Sequence, residues 1–178
     1  MYTLLLLLIY LAFISLGLPD SLLGSAWPVM HEAFQVPLSY AGLVTMIISG
    51  GTICSSLLSE RLTKKLGTQI VTVCSVLLTA VALFGFSTAS AFWMLCIWAI
   101  PYGLGAGAID AALNNYVALH YNSRHMSWLH CFWGLGTIIS PYVMSYALTT
   151  SVWQNGYRMV SFIQFGIMII LFLTLPVW

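Results

Sequence analysis

The chain has 178 residues, of which 61% are hydrophobic and 5% are charged, and its formal net charge is +1 at pH 7. A soluble domain carries about 25% charged residues, so the charged side chains here are too few to cover a surface that faces water. The composition therefore predicts a membrane protein, and at about 20 residues per spanning helix the length allows roughly six helices and no soluble domain. It excludes a nucleic-acid-binding protein, a secreted disulfide scaffold and most soluble enzymes.

Hydropathy and helix-breaking residues divide the chain into six predicted spans, at 2–28, 38–59, 68–88, 90–119, 127–149 and 157–178. The hydrocarbon core of a membrane holds no water that could hydrogen-bond to the backbone. The segments also lack the alternation of polar and apolar residues that is typical of a transmembrane β-barrel. The predicted fold class is therefore an all-α bundle of six transmembrane helices in a single unit, residues 1–178. We expect the first apolar segment to be retained, because it lacks a basic leader and runs past any cleavage site.

Charged residues predict the orientation of the bundle. The connection between the second and third spans carries four of them: Glu60, Arg61, Lys64 and Lys65. The connection after the fourth span adds Arg124, whereas the opposite side has only Arg158 among the basic residues. Because Lys and Arg are retained on the cytoplasmic side, we expect both termini in the cytoplasm and the chain in the cell membrane. The four cysteines lie singly in apolar stretches, so neither a metal site nor a cofactor is expected.

Two short patterns recur in the same order in the two halves of the chain. Gly-x-x-Asp occurs at 17–20 and again at 107–110, and Gly-Thr-Ile-x-Ser occurs at 51–55 and again at 136–140. The offsets are 90 and 85 residues. Since three spans separate the copies, the second triplet must be inverted relative to the first. The sequence therefore predicts a 3+3 inverted repeat, about 1–88 and 90–178, of the kind found in secondary transporters.

The two aspartates of this repeat, Asp20 and Asp110, are predicted to lie within the membrane. Each is roughly 12 Å from the nearer end of its span, and inversion makes these opposite membrane faces. A carboxyl in dry surroundings is held protonated and releases its proton when water enters, which suits a proton-coupled transporter. Sodium coupling stays open, as does a purely structural hydrogen bond from each carboxyl to a neighbouring helix.

Polar and aromatic side chains share helical faces with these carboxylates. Five of them are predicted to contact a solute: Trp27, Asn114, Asn115, His130 and Trp133. Planar rings beside amide and carboxylate groups suit a sugar or another polyhydroxyl compound. The alternative is that the glycines on the same faces serve helix packing, that Trp133 packs between helices and that His130 satisfies a local carbonyl.

Three segments, at 17–21, 103–117 and 129–141, resemble the first, fourth and fifth helices of the N-terminal half of a major facilitator superfamily transporter. The nearest resemblance is to the fucose permease and related sodium- or proton-coupled sugar porters. It implies that Asp20 is the main proton-linked carboxylate and that Asp110 couples proton and sugar. The same resemblance makes Asn114 and His130 sugar contacts. The segment 59–69 keeps the charges and one glycine of the superfamily's loop between helices two and three, but not their spacing.

A full member of that superfamily has a second set of six helices, so this chain would form one wall of the cavity. It would dimerise, pair with a complementary half chain, or be a fragment of a longer transporter. The segment 174–178 suits a membrane interface, which leads us to expect a discrete half unit. The favoured function is a half-size, homodimeric, proton-coupled transporter of a sugar-like solute in contact with membrane lipids. The alternatives are a non-transporting scaffold and, much less favoured, an enzyme using His130.

Overall fold

The computed structural model describes residues 2–178, with side chains from residue 4 onward, and within that range it contains helices and no strand. The α-helices are α1 (Tyr2–Asp20), α2 (Leu22–Ala33), α3 (Ala41–Leu66), α4 (Thr68–Ser87), α5 (Phe92–His120), α6 (Ser123–Thr150) and α7 (Trp153–Leu173). Short 3-10 turns occupy Leu38–Tyr40 and Leu175–Val177. The predicted all-α fold class is confirmed.

Six helical segments are long and apolar enough to cross a membrane, and α1 and α2 together form the first of them, Leu4–Ala33. Most helices exceed their predicted spans: α2 continues five residues past 28, α3 continues seven residues past 59, and α6 and α7 each begin four residues early. The predicted ends were wrong because hydropathy marks only the part of a helix that suits hydrocarbon. Polar residues extend the same helices into the interface. At its other end α7 stops at Leu173, five residues before the predicted end of the last span at 178.

Each helix packs mainly on a helix from the other half of the chain. α1 packs on α6, α3 packs on α5, and α4 lies between α5 and α7. α4 has buried residues along its whole length, whereas α3 and α6 are the least buried spans. The core therefore lies around α4, and α3 and α6 form the outer edges of the bundle.

Glycines bring α1 and α6 into backbone contact. A Cβ on Gly17 would lie 2.1 Å from the carbonyl oxygen of Trp133 and 3.2 Å from the backbone nitrogen of Thr137. A Cβ on Gly136 would lie 2.4 Å from the carbonyl oxygen of Ile14. Any larger residue at either position would force the two helices apart, so these glycines set the distance between them.

A second crossing, between α5 and α3, is built in the same way. A Cβ on Gly107 would lie 2.3 Å from the carbonyl oxygen of Thr52, and a Cβ on Gly51 would lie 3.1 Å from the backbone nitrogen of Leu104. These four residues are equivalent to Gly17, Thr137, Gly136 and Ile14 of the first crossing, since their numbers differ by 90 between α1 and α5 and by 85 between α6 and α3. The nearest carbonyl is shifted by one turn, because Gly17 meets that of Trp133 whereas Gly107 meets that of Thr52. The two offsets equal those of the repeated sequence patterns, which supports the inverted repeat.

A proline near the end of α1 leaves a backbone carbonyl without its helical donor, and a neighbouring helix supplies another. Pro19 has no N–H to donate to the carbonyl of Ser15, four residues earlier. Gln164 of α7 fills this place, because its Nε2 donates to the Ser15 carbonyl while its Oε1 accepts from Ser15 Oγ at 2.6 Å. Both residues are fully buried. This pairing keeps the interrupted helix stable in hydrocarbon, where an unpaired backbone group is costly.

Gln164→Leu is expected to destabilise the protein, because it leaves buried Ser15 groups unpaired at a cost of about 1–3 kcal/mol. Pro19→Ala restores the missing backbone donor, so the same substitution should cost less in the Pro19→Ala background. Thermal unfolding of the four proteins in one detergent measures this difference. An equal loss in both backgrounds would contradict the assigned role of Gln164.

Candidate functional site

A cavity of about 330 Å³ lies between α1, α3, α5 and α6. Its lining residues are Leu16, Asp20, Ile48, Thr52, Tyr102, Ala106, Asp110, His130 and Trp133. On each helix they recur at intervals of three or four residues, so each helix presents one face to the cavity. The cavity brings together both intramembrane aspartates and two of the five predicted solute contacts, His130 and Trp133.

Asp20 joins three helices at the point where the first span is interrupted. It is the last residue of α1, and its carboxylate accepts two hydrogen bonds from other helices. Tyr102 Oη of α5 donates to Oδ1 at 2.9 Å, and Trp133 Nε1 of α6 donates to Oδ2 at 2.8 Å. Two donors, one to each oxygen, suit an ionised carboxylate, which is an acceptor only.

Asp110 is held within its own helix. Asn114, one turn later on α5, donates from Nδ2 to both the carbonyl oxygen and Oδ1 of Asp110, each at 2.9 Å. Asn114 does not line the cavity, and its own Oδ1 is buried without a hydrogen-bond partner among the described residues. The structure therefore places Asn114 behind Asp110, where it orients the carboxylate.

His130 lies on the wall of the cavity formed by α6. Its ring packs edge-on against Phe13 of α1, with the ring centroids 6.1 Å apart. His130 is an exposed residue, and its imidazole shares the cavity with both aspartates. The site thus offers one imidazole, two carboxylates, a phenol and an indole around one small volume.

Like Asn114, the other two predicted solute contacts lie outside this cavity. Trp27 is 4% exposed, and its Nε1 donates to the carbonyl oxygen of Leu38 at 2.7 Å, which ties α2 to the turn before α3. Asn115 faces a separate crevice between α3 and α5, beside the charged end of α3. In that crevice Lys64 pairs with Glu60 at 2.6 Å on the exposed surface.

Sequence reasoning missed Tyr102 and Thr52. Tyr102 lies eight residues before Asp110, with Ala106 between them at intervals of four, so the three side chains share a face of α5. Thr52 Oγ1 donates to the carbonyl oxygen of Gly103 at 3.3 Å. Following the face of Asp110 along the helix would have found Tyr102.

A family model described as Major Facilitator Superfamily matches residues 9–178. The chain belongs to the Major Facilitator Superfamily. It is similar to bypass of stop codon protein 6 of Saccharomyces cerevisiae, with 24% identity over 163 residues that cover 90% of this chain and 33% of that protein. It is also similar to the glucose/mannose transporter GlcP of Bacillus subtilis, with 22% identity over 150 residues that cover 83% of this chain and 37% of that protein. The chain therefore spans about a third of the length of these relatives.

Membership of the Major Facilitator Superfamily confirms the resemblance seen in the sequence. It also confirms that the chain belongs with membrane transporters rather than with enzymes. With six spans in the structure, the chain is a multi-pass membrane protein. The cytoplasmic position of both termini stays a prediction.

If the cavity admits water, a cysteine on its wall should react with a water-soluble thiol reagent. In a background whose four cysteines are replaced by serine, Ala106→Cys is expected to be alkylated several-fold faster than Ala99→Cys. The control position is on the same helix and is fully buried. Mass spectrometry of membrane-embedded protein follows the modification. Equal rates would contradict a water-filled cavity at this face of α5.

Proposed function

We propose that this superfamily member forms one wall of a secondary transporter for a small, sugar-like solute, coupled to protons through Asp20 and Asp110. The observation that carries the proposal is their arrangement in one cavity. The two carboxylates come from α1 and α5, the first helices of the two halves, and they face the same volume of about 330 Å³. Intramembrane carboxylates in a cavity are characteristic of proton and ion pathways.

The solute class follows from the rest of the lining. The indole of Trp133 is 38% exposed and provides a planar surface, while His130 and Asp110 provide groups that bind hydroxyls. Leu16, Ile48 and Ala106 supply apolar wall between these groups. This mixture suits a polyhydroxyl ring. The similarity of the chain to the glucose/mannose transporter GlcP also supports a sugar.

The two carboxylates differ in how they are held, which favours different roles. Asp20 has a donor from another helix on each oxygen, whereas the side-chain donor to Asp110 among the described residues is Asn114 of its own helix. Asp110 is therefore the carboxylate that a solute hydroxyl can approach without first displacing a contact between helices. Asp20 would respond to protonation by changing contacts with α5 and α6.

The cavity needs a second wall, because Asp20, His130 and Trp133 of its lining are exposed. α3 and α6 flank the cavity and expose large apolar side chains, among them Met46, Ile53, Leu57, Leu135, Ile138 and Tyr142. A second copy, related by a two-fold axis along the membrane normal, would cover both edges and close the cavity. A complementary half chain would serve in the same way.

Asp20→Asn and Asp110→Asn are expected to lower proton-driven accumulation of solute by about tenfold or more, because neither variant can carry a proton on that carboxyl. Uptake into proteoliposomes with an imposed pH gradient measures this, with hexoses as the first solutes. Glu32→Gln, which removes an exposed carboxylate of α2 outside the cavity, is the matched control. Unchanged accumulation in both aspartate variants would refute proton coupling through these residues. A response to a sodium gradient instead would assign the coupling to sodium.

Homodimerisation predicts a defined mass in lipid nanodiscs. Native mass spectrometry should find twice the 19.6 kDa of one chain, and apolar-to-charged substitutions such as Leu135→Glu and Ile138→Glu on the edge of α6 should shift the population to one copy. A single copy in the parent at all protein concentrations would contradict the homodimer.

A further inference from the structure

We propose that Trp133 senses the ionisation of Asp20 and passes the change to the contact between α1 and α6. This inference deepens the proposed function and rests on proton coupling through Asp20. It assigns to the indole of Trp133 a role beyond contact with the solute. The indole is a positioning group that acts through Asp20.

The hydrogen-bonding chemistry of the three side chains carries the proposal. The indole N–H is a donor only, whereas the Tyr102 hydroxyl both donates and accepts. If Asp20 gains a proton on Oδ2, the N–H of Trp133 faces a hydroxyl oxygen, which accepts a hydrogen bond more weakly than a carboxylate oxygen does. If the proton is on Oδ1, the Trp133 bond changes from a charge-assisted bond to a weaker neutral one. In that case the Tyr102 hydroxyl can reverse its role and accept from Oδ1. Protonation at either oxygen therefore loosens the attachment of α6 to Asp20.

The position of Trp133 links this weaker hydrogen bonding to the packing of α6 on α1. Its backbone carbonyl lies against Gly17, one turn before Asp20, at the point where a Cβ would be only 2.1 Å away. The same residue therefore contacts α1 twice, through its backbone at the glycine and through its indole at the carboxylate. Weakening of the second contact leaves this end of the crossing to van der Waals packing, while the hydrogen bond between Tyr10 Oη of α1 and His125 Nδ1 of α6, at 2.8 Å, holds the other end. Near Asp20, α6 can then move against α1.

The equivalent positions around Asp110, in the other half of the chain, lack these hydrogen-bond donors. Applying the offsets of 90 and 85 residues, the positions that match Tyr102 and Trp133 around Asp110 are Ala12 and Ile48. Neither side chain can donate a hydrogen bond. Ile48 does line the cavity, as Trp133 does, so the position is matched while its chemistry is not. Of the two cavity carboxylates, Asp20 is therefore the one that, among the described residues, accepts side-chain hydrogen bonds from neighbouring helices.

Other titratable groups face Asp20 and must be separated from it in any pH experiment. From α5 these are Tyr102 and Asp110, and from α6 the group is His130. The lining residues of α3, Ile48 and Thr52, do not titrate. His130 is the main competitor, because an imidazole changes its charge near neutral pH.

The direct test is the fluorescence of Trp133 in nanodiscs, taken as the parent spectrum minus that of Trp133→Phe, between about pH 4 and 8. The proposal expects a change in this difference spectrum with pH that persists in His130→Gln and Asp110→Asn and is lost in Asp20→Asn. Trp128→Phe, an exposed tryptophan of α6 outside the cavity, should keep it. A spectrum that does not change with pH, or a change that survives Asp20→Asn or disappears in His130→Gln, would overturn the proposal.

Transport supplies the second test. Trp133→Phe keeps an aromatic face for the solute but removes the N–H, so proton-driven accumulation should fall about fivefold or more relative to solute counterflow in the same vesicles. The double variant Asp20→Asn/Trp133→Phe should accumulate no less than Asp20→Asn alone, since both changes break one interaction. Equal losses of accumulation and counterflow would reduce Trp133 to a solute contact. If the parent itself does not accumulate solute, the proposed function fails, and the fluorescence experiment still decides whether Trp133 senses Asp20.

Discussion

Backbone contacts at two glycine crossings pair α1 with α6 and α3 with α5, the four helices that carry the polar side chains of the cavity. Lipid tails are as apolar as leucine side chains, so helices in a membrane associate through close packing rather than through hydrophobic burial. Gly17 and Gly136 allow α1 to touch α6, and Gly51 and Gly107 allow α3 to touch α5. Each crossing lies within a turn or so of a cavity residue. The reach of Trp133 to Asp20, at 2.8 Å, depends on this proximity.

The number and type of helices follow from composition, because 5% charge in 178 residues cannot coat a soluble protein. Helix ends do not follow from hydropathy, since Ser123 and Arg124 of α6 are polar yet helical. The interruption of the first span at Asp20 was also missed. Pro19 marks it in the sequence, but the buried partner that compensates is Gln164 of α7, which lies 149 residues after Ser15. Such long-range pairing has no local signature.

The site is partly visible in the sequence. A charged residue within a span is so costly that Asp20 and Asp110 stand out, and helical spacing then selects His130 and Trp133. Asn114 and Asn115 could not be separated in this way, because a rotation of about 100° between neighbours decides which faces the cavity and the helix tilt is unknown. Tyr102 shares the helical face of Asp110, but so do other residues of α5, and the sequence gives no sign of what this side chain contacts. Its importance comes from the carboxylate it meets, 82 residues earlier in the chain.

The turn between α3 and α4 consists of Gly67 alone, with φ +84° and ψ 151°, a backbone conformation open essentially to glycine. By contrast, seven residues, 34–40, separate α2 from α3. A one-residue connection keeps the end of α3 close to the start of α4. Since α4 lies between α5 and α7, a displacement of this end of α3 would have to be accommodated against the centre of the bundle. A longer connection would let α3 move at the edge of the bundle without moving α4 at its centre.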